Sequence, residues 1–192
     1  MLANLKNVPV ILGSQSPRRK QLLAGLGFPF EVEVRETDEY VDPALTPQEA
    51  VRQIALQKLK AFADRSDSLV ICADTVVVSA AGEILGKPKS MDEAERTLWS
   101  LSADKHLVMT AVAIQWKGSV HSFVETTTVH FYPLDSEEIS YYVSNFSPLD
   151  KAGSYGIQEW IGLIGIAKIE GEYNNVVGLP TAKLYQELKG LT

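Results

Sequence analysis

The sequence VPVILGSQSPRRKQLL, residues 8–23, joins a short apolar run to a glycine, two serines and a leucine-rich segment. The apolar run is typical of a buried strand, whereas the leucines that follow recur at helical spacing. Ser16 is a residue type preferred at a helix N-cap, and Pro17 suits the first helical position, where its missing N–H has no cost. The stretch therefore predicts a strand, a loop and a helix that ends near Gly25 or Gly27.

The rest of the chain alternates between strand-like and helix-like patterns. Predicted strands are residues 28–35, 69–79, 106–116, 119–132 and 164–169, and predicted helices begin at Thr46–Pro47, Ser90, Asp135 and Pro180. Ser90 and Glu93 have the spacing of a capping box, and Lys117–Gly118 predicts a turn between two strands. Strands and helices interrupted by hairpins favour an α/β fold with a mixed sheet flanked by helices. Without a linker or repeat, residues 1–192 are predicted to form a single domain.

The composition limits the class of function. The chain has 24 acidic and 18 basic residues and a net charge of −6, so it has no general electrostatic attraction to nucleic acids. It has one cysteine, Cys72, and no run of 18 apolar residues, which argues against a disulfide framework and a membrane-spanning helix. We expect a cytoplasmic protein that does not bind nucleic acid stably and does not bind membranes.

Hydroxyl and cationic side chains cluster at the predicted start of the first helix. The first turn of a helix presents unpaired N–H groups and the positive end of the helix dipole. Ser14 and Ser16 would add hydroxyl donors there, and Arg18 and Arg19 would add charges suited to phosphate oxygens. The cluster predicts a phosphate site, or else an ordinary capped helix whose cations point into water.

Two carboxylates and a lysine suggest a second charged cluster. Asp74 interrupts a strand rich in Val and Ile, where an unpaired carboxylate is costly, so it binds a partner or metal, or caps the next turn. Glu39 belongs to an acidic loop that is ordinary surface unless it meets Asp74. Two carboxylates together with substrate phosphates are a common way to hold Mg²⁺. Lys58 lies near the edge of the apolar stripe of its helix and could face a cleft.

Lys87, in the sequence LGKP, is either a phosphate ligand or a solvated surface lysine. A P-loop is excluded, because Gly82 and Gly86 are one residue too close together and Pro88 stands where Ser or Thr is required. The three histidines lack the spacing of zinc ligands, and no serine-hydrolase motif is present.

Four motifs in this order, SQSPRRKQLL, ADTVVV followed by LGKP, PLDKAGSYGIQ and VVGLP, resemble the Maf family of nucleoside triphosphate pyrophosphatases. The resemblance implies an enzyme that cleaves a nucleotide between its α and β phosphates with a divalent cation, Mg²⁺ or Mn²⁺. It also implies an elongated mixed α/β fold with two lobes and a central cleft, similar to inosine triphosphate pyrophosphatases, and a homodimer.

The same resemblance assigns roles to individual residues. Ser16, Arg18 and Arg19 would fall in the phosphate-binding loop, and Lys58 and Lys87 would be lysines that line the cleft. Glu39 matches the glutamate of the acidic loop, Asp74 matches the proton acceptor, and Gln158 matches the glutamine that closes the site. The resemblance thus supplies a hypothesis in which Asp74 and Glu39 share the cation and Asp74 activates the attacking water.

The family has two branches, and the motifs SPRR, ADT and YGIQ resemble the branch that acts on dTTP and UTP. The other branch, which prefers 7-methyl-GTP or CTP, has SPWR, SDQ and FKSEG instead, so Arg18, Thr75 and Gln158 carry the distinction. The chain departs from the family pattern at Gly13, where alanine is usual and the change is expected to be sterically mild. It departs again at Glu159 and Trp160, where a small, glycine-rich step is typical.

Two other functions stay open at this point. A nucleotide-sensing regulator of cell division without significant turnover would need a similar site, although retention of both Asp74 and Glu39 disfavours it. A pyrophosphatase for modified pyrimidine nucleotides would share the chemistry and differ only in contacts to the base, which are worth about 1–3 kcal/mol.

Overall fold

A computed structural model of the chain describes residue 2 and residues 5–191. In this part of the chain, seven strands form one sheet: β1 (Val10–Leu12), β2 (Glu31–Val32), β3 (Leu69–Val78), β4 (Ile84–Leu85), β5 (Lys105–Trp116), β6 (Ser119–Phe131) and β7 (Ile166–Glu170). Their order is β2-β1-β3-β5-β6-β7, with β4 paired to β3. Because β1 is parallel to β2 and β3, whereas β4 and β7 are antiparallel to their partners, the predicted mixed sheet is confirmed.

The described part of the chain also forms α-helices. They are α1 (Pro17–Ala24), α2 (Pro47–Lys60), α3 (Met91–Leu101), α4 (Ser136–Phe146), α5 (Trp160–Gly165), α6 (Tyr173–Val177) and α7 (Thr181–Gly190). Helix α1 begins at Pro17 and is capped at its C-terminal end by Gly25, as predicted. Among the described residues, no helix is both long and apolar enough to cross a membrane.

Side-chain caps explain where three further helices begin. Thr46 and Asp135 each form a complete capping box at the start of α2 and α4. The box predicted from Ser90 and Glu93 is only half correct. The Ser90 hydroxyl accepts from the Glu93 N–H at 3.2 Å, but the Glu93 carboxylate accepts from the Lys89 N–H instead. The helix still begins at the predicted position, because one cap already satisfies an otherwise unpaired N–H.

The hairpin between β5 and β6 is confirmed at Lys117 and Gly118, which both have positive φ angles, 48° and 77°. Two such residues are typical of the tight turn that matches the twist of the strands it joins.

Two predicted strands are present with different bounds, and two short helices were not predicted. The strand expected at residues 164–169 begins only at Ile166, since residues 160–165 form helix α5, and α6 was not predicted. Both helices are shorter than two turns, so apolar residues cannot establish a helical repeat within them. The strand expected at residues 28–35 is reduced to Glu31–Val32, and Phe28 turns into an apolar cluster.

Contacts divide the described residues into two compact units. The first unit comprises the described residues of Met1–Asp74, Thr110–Glu125 and Gly178–Thr192, and the second comprises Thr75–Met109 and Thr126–Val177. The first has a core that includes Leu12, Leu23 and Ile71. The core of the second includes Leu98 and Tyr142. These side chains are fully buried, and burial of each large apolar side chain contributes about 1.5–3 kcal/mol.

Candidate active site

The loop after β1 brings two hydroxyl groups to the start of α1. The Gly13 N–H donates to the Ile71 carbonyl at 2.9 Å, which holds the loop against β3. The Ser16 hydroxyl caps α1 by accepting from the Arg19 N–H, and the Ser16 N–H donates to Ser14 Oγ at 3.2 Å. Each hydroxyl retains a hydrogen that it can donate. The loop and the first turn of α1 therefore present donors suited to an anion.

The Arg19 side chain is fixed beside these hydroxyls. Its Nε donates to the Gly178 carbonyl at 2.8 Å, and its Nη1 lies 3.4 Å from Ser14 Oγ. Burial lowers the pKa of Arg19 and the negative charge of Asp74 opposes that effect, but a guanidinium stays protonated at physiological pH. Arg18, half-buried in the first turn, adds a second positive charge that acts on Arg19.

Lys58 brings together the two carboxylates that the sequence singled out. Its Nζ lies 2.6 Å from Asp74 Oδ1 and 3.0 Å from Glu39 Oε1. The side chains of Lys58 and Asp74 are 20% and 16% exposed, and that of Glu39 is 47% exposed. Asp74 is thus an ion-pair partner and Glu39 is more than plain surface. These three side chains form the Lys58 cluster, in which the carboxylate oxygens keep unused acceptor capacity.

Gln57, the neighbour of Lys58 on α2, fixes the acidic loop. Its Nε2 donates to the Tyr40 carbonyl at 2.8 Å, next to Glu39 in the chain. This bond restrains the backbone that carries the Glu39 carboxylate. The sequence carried no signal for it, because adjacent residues of a helix point in different directions and Tyr40 lies in an irregular segment.

The absence of a side chain at Gly13 turned out to be a steric requirement, so the expectation of a mild change was wrong. A Cβ added there would lie 2.5 Å from Cys72 Sγ and 2.9 Å from Phe62 Cε2. Cys72 is fully buried, and burial raises the pKa of its thiol to about 12, which keeps it an unreactive packing group. The loop can follow this path because Gly13 has no Cβ, which leaves room for the Cys72 side chain.

The Lys58 cluster also fits a divalent cation. Glu39 and Asp74 direct carboxylate oxygens to the same ammonium group, so both can reach one positive charge. Mg²⁺ is commonly held by one or two carboxylates together with substrate phosphates and waters. In residue 2 and residues 5–191, no group of three or more His, Cys, Asp or Glu side chains could hold a metal. The fit therefore depends on these two carboxylates and on ligands from a substrate.

The remaining predicted site residues belong to the second unit. Thr75 follows Asp74 in β3 and is half-buried, and Lys87 is exposed between β4 and α3. Gln158 is exposed between Ile157, which is buried, and Glu159, which is half-buried. Their parts in binding a substrate stay predictions.

Residues 9–191 match a family model described as Maf-like protein. The chain belongs to the Maf family. It is 46% identical to the dTTP/UTP pyrophosphatase of Phocaeicola vulgatus, an alignment that covers 100% of both chains. It is 45% identical to the dTTP/UTP pyrophosphatase of Porphyromonas gingivalis strain ATCC 33277, over 98% of this chain and 97% of the relative.

The fold is also similar to a solved structure outside these Maf relatives. The structure of the Staphylococcus aureus Ham1 protein covers 93% of this chain and 99% of its own, with a TM-score of 0.55 and 16% sequence identity. At this identity the likeness shows the fold alone.

One contact of this Maf protein's first unit lies in a motif that had no assigned role. The carbonyl that accepts from Arg19 belongs to Gly178 in the sequence VVGLP. The motif could be found in the sequence, but its contact could not, because 159 residues separate the two partners.

Proposed function

We propose that this Maf protein hydrolyses dTTP and UTP to the nucleoside monophosphate and diphosphate, acting as one domain. Two relatives named dTTP/UTP pyrophosphatase are 45–46% identical to it along nearly the whole chain, which supports the reaction and the substrates. The observation that carries the assignment is the Lys58 cluster, where two carboxylates meet at one ammonium in the unit that holds the serine and arginine loop.

Substrate phosphates are bound by the start of α1 in this proposal. Ser14 and Ser16 donate hydroxyl hydrogens, the first-turn N–H groups add the helix dipole, and Arg18 and Arg19 neutralise charge. Catalysis of phosphoryl transfer depends mainly on such positioning and charge neutralisation.

Asp74 accepts the proton of the attacking water. The water oxygen forms a bond to the α-phosphorus, the bond between that phosphorus and the bridging oxygen breaks, and diphosphate leaves. Lys58, 2.6 Å from Asp74, orients the carboxylate. Glu39 and Asp74 would hold Mg²⁺ or Mn²⁺, which, when bound, supplies charge neutralisation at the phosphate oxygens.

Residues of the second unit complete the proposal. Lys87 is a further phosphate ligand, and Thr75 and Gln158 contact the base, together with Arg18 setting the preference for dTTP and UTP. We also propose a cytoplasmic homodimer that does not bind nucleic acid stably. Modified pyrimidine nucleotides are additional candidate substrates.

The test is diphosphate release by the purified protein from dTTP, UTP, 5-methyl-UTP, CTP and 7-methyl-GTP, with Mg²⁺, with Mn²⁺ and with chelator. We expect metal-dependent release from dTTP and UTP. Release from CTP or 7-methyl-GTP alone would retain the chemistry and overturn the substrate assignment.

Calorimetry of nucleotide binding, run alongside, separates the proposal from the sensor hypothesis. Binding of dTTP without release of diphosphate under any condition would favour a nucleotide-sensing regulator over an enzyme.

A further inference from the structure

The Gln158 side chain is carried by a tight turn at the end of a buried segment. The Glu159 N–H donates to the Gly156 carbonyl at 2.9 Å, so residues 156–159 close a turn with Gln158 inside it. Residues 153–157 are buried, whereas Gln158 is exposed. The position of the Gln158 amide is therefore set by whatever holds this turn.

The Glu159 carboxylate ties the turn to helix α4. It accepts a hydrogen bond from the Tyr142 hydroxyl, and the same hydroxyl accepts from the Gly156 N–H at 2.9 Å. Gly156 and Glu159 are thus both held by one phenol group, whose side chain is fully buried. Burial and the bond to Glu159 raise the pKa of Tyr142, so the phenol keeps its proton and donates it throughout the physiological pH range.

A buried lysine holds the other side of the same carboxylate. Lys151 Nζ lies 3.2 Å from Glu159 Oε1 and 2.8 Å from Asp150 Oδ1, and its side chain is only 7% exposed. The carbonyls of Phe146 and Ser147 accept from it as well, at 3.4 and 3.3 Å. A buried cation with these partners resists displacement, because exposing it or its carboxylate would leave a charge uncompensated.

Gly156 leaves the space that the carboxylate occupies. A Cβ at Gly156 would lie 2.8 Å from Glu159 Cδ and 2.9 Å from Glu159 Oε2. The acid therefore packs directly on the backbone of the turn, which explains how the chain accommodates Glu159 where its family typically has a small step.

We infer that Glu159 is a positioning residue for substrate selectivity: held by Tyr142 and Lys151, its carboxylate fixes the turn that presents Gln158 to the pyrimidine base. The inference rests on the proposed function, in which Gln158 contacts the base. Uracil and cytosine differ in the donor and acceptor at their pairing edge, and a glutamine amide carries both kinds of group. Discrimination therefore depends on where the backbone holds the amide.

The test compares kcat/KM for UTP and CTP in Glu159→Ala, Glu159→Gln and Tyr142→Phe. We expect the UTP to CTP ratio to fall about tenfold in Glu159→Ala and in Tyr142→Phe, mainly through a higher KM for UTP. Glu159→Gln keeps an acceptor for the Tyr142 hydroxyl and should recover part of the ratio.

Thr127→Val is the matched control in the same unit. The buried Thr127 hydroxyl bonds both backbone groups of Glu172, so its loss should lower the melting temperature without changing the ratio. In a Gln158→Ala background, Glu159→Ala should cause no further fall, since both changes act through one side chain.

Three results would overturn the inference: a ratio in Glu159→Ala within about twofold of wild type, an equal fall in Thr127→Val, or an undiminished fall in the Gln158→Ala background. If the wild-type protein releases no diphosphate, the proposed function falls, and the ratio of dissociation constants for UTP and CTP in the same variants decides the inference. A wild-type protein that binds neither nucleotide would overturn both.

Discussion

Each unit contains a lysine that forms ion pairs with two carboxylates. The two lysines differ in how exposed they are and in how many acceptors surround the ammonium group. Lys58 contacts Asp74 and Glu39, and its side chain is 20% exposed. Lys151 contacts Asp150 and Glu159 at similar distances, is 7% exposed, and also donates to two backbone carbonyls. The second lysine has more acceptors than an ammonium has hydrogens, so its bonding is saturated.

The difference separates a site that can bind something from one that holds the chain together. In the Lys58 cluster the Glu39 side chain is 47% exposed, and the oxygens of Glu39 and Asp74 keep acceptor capacity for a cation or a water. Glu159, by contrast, is occupied by a lysine and a tyrosine hydroxyl. We therefore assign chemistry to Lys58 and its partners, and support of a turn to Lys151.

Replacement of each lysine by methionine is the most direct way to break this comparison. Lys151→Met leaves Glu159 without its cation in a largely buried place and should lower the free energy of unfolding by about 3 kcal/mol. Lys58→Met should lower it by about 1 kcal/mol, because Glu39 is 47% exposed and the positive charge of Arg19 also acts on Asp74. Urea denaturation of the two variants measures both values.

Turnover should be reduced more by the change at Lys58 than by the change at Lys151, the opposite of the order for stability. Lys58→Met should lose most of its diphosphate release, whereas the folded fraction of Lys151→Met should retain kcat for dTTP. Equal losses of stability in the two variants would remove the basis for treating the clusters differently.

His106 offers a test of the second unit through pH. It is fully buried, with Nε2 2.7 Å from the Tyr155 hydroxyl, and burial lowers its pKa to about 4 despite the opposing charge of Asp104. The unfolded chain binds a proton near pH 6.5 and the folded chain does not. The contribution of neutral His106 to the free energy of unfolding is therefore fully present above pH 6.5 and falls by about 3 kcal/mol as the pH drops to about 4.

The measurement is the free energy of unfolding between pH 4 and 7, a range of about three pH units, for His106→Gln and wild type. His106→Gln can keep a bond to Tyr155 and should show a shallower dependence on pH. Identical slopes in the two proteins would show that His106 does not titrate as described.

Gly13→Ala tests a packing contact of the first unit, with an expected effect on stability no larger than that of Lys151→Met. Its Cβ would meet Cys72, and overpacking of this kind costs about 1–3 kcal/mol. Adding Cys72→Ala should recover part of the loss, which a double-mutant cycle of unfolding free energies would measure. Gly190→Ala, where a Cβ meets nothing within 4 Å, should have little effect. A neutral Gly13→Ala would refute the packing argument.

Local chemistry made much of the first unit predictable. A few neighbouring residues were enough to predict three features: the cap at Ser16, the proline at the start of α1 and the carboxylate in an apolar strand. Each of them raises or lowers the free energy of its own short segment. The structure then joined Asp74 to Glu39 through Lys58, a contact that depends on three separate elements and that residue patterns could only suggest.

The second unit was less predictable for the same reason. The sequence did not single out Lys151 or Tyr142. A buried ion pair, or a phenol that bonds two groups at once, leaves no periodic pattern in a sequence from which it could be predicted. Glu159 was marked only as a departure from a family pattern. Helices α5 and α6 are too short to show a repeat, so the element that follows Gln158 could not be identified.

The central claim is that the Lys58 cluster carries the chemistry, and kcat for dTTP in Asp74→Asn tests it most directly. The variant keeps the size of the side chain but cannot accept the proton of the attacking water. We predict a kcat about 10²- to 10⁴-fold below wild type, with a similar KM and an unchanged near-UV circular dichroism spectrum. Asp67→Asn, an exposed change in the same unit, serves as the control and should retain wild-type turnover. A kcat for Asp74→Asn within about threefold of wild type would contradict the assignment of Asp74 as proton acceptor.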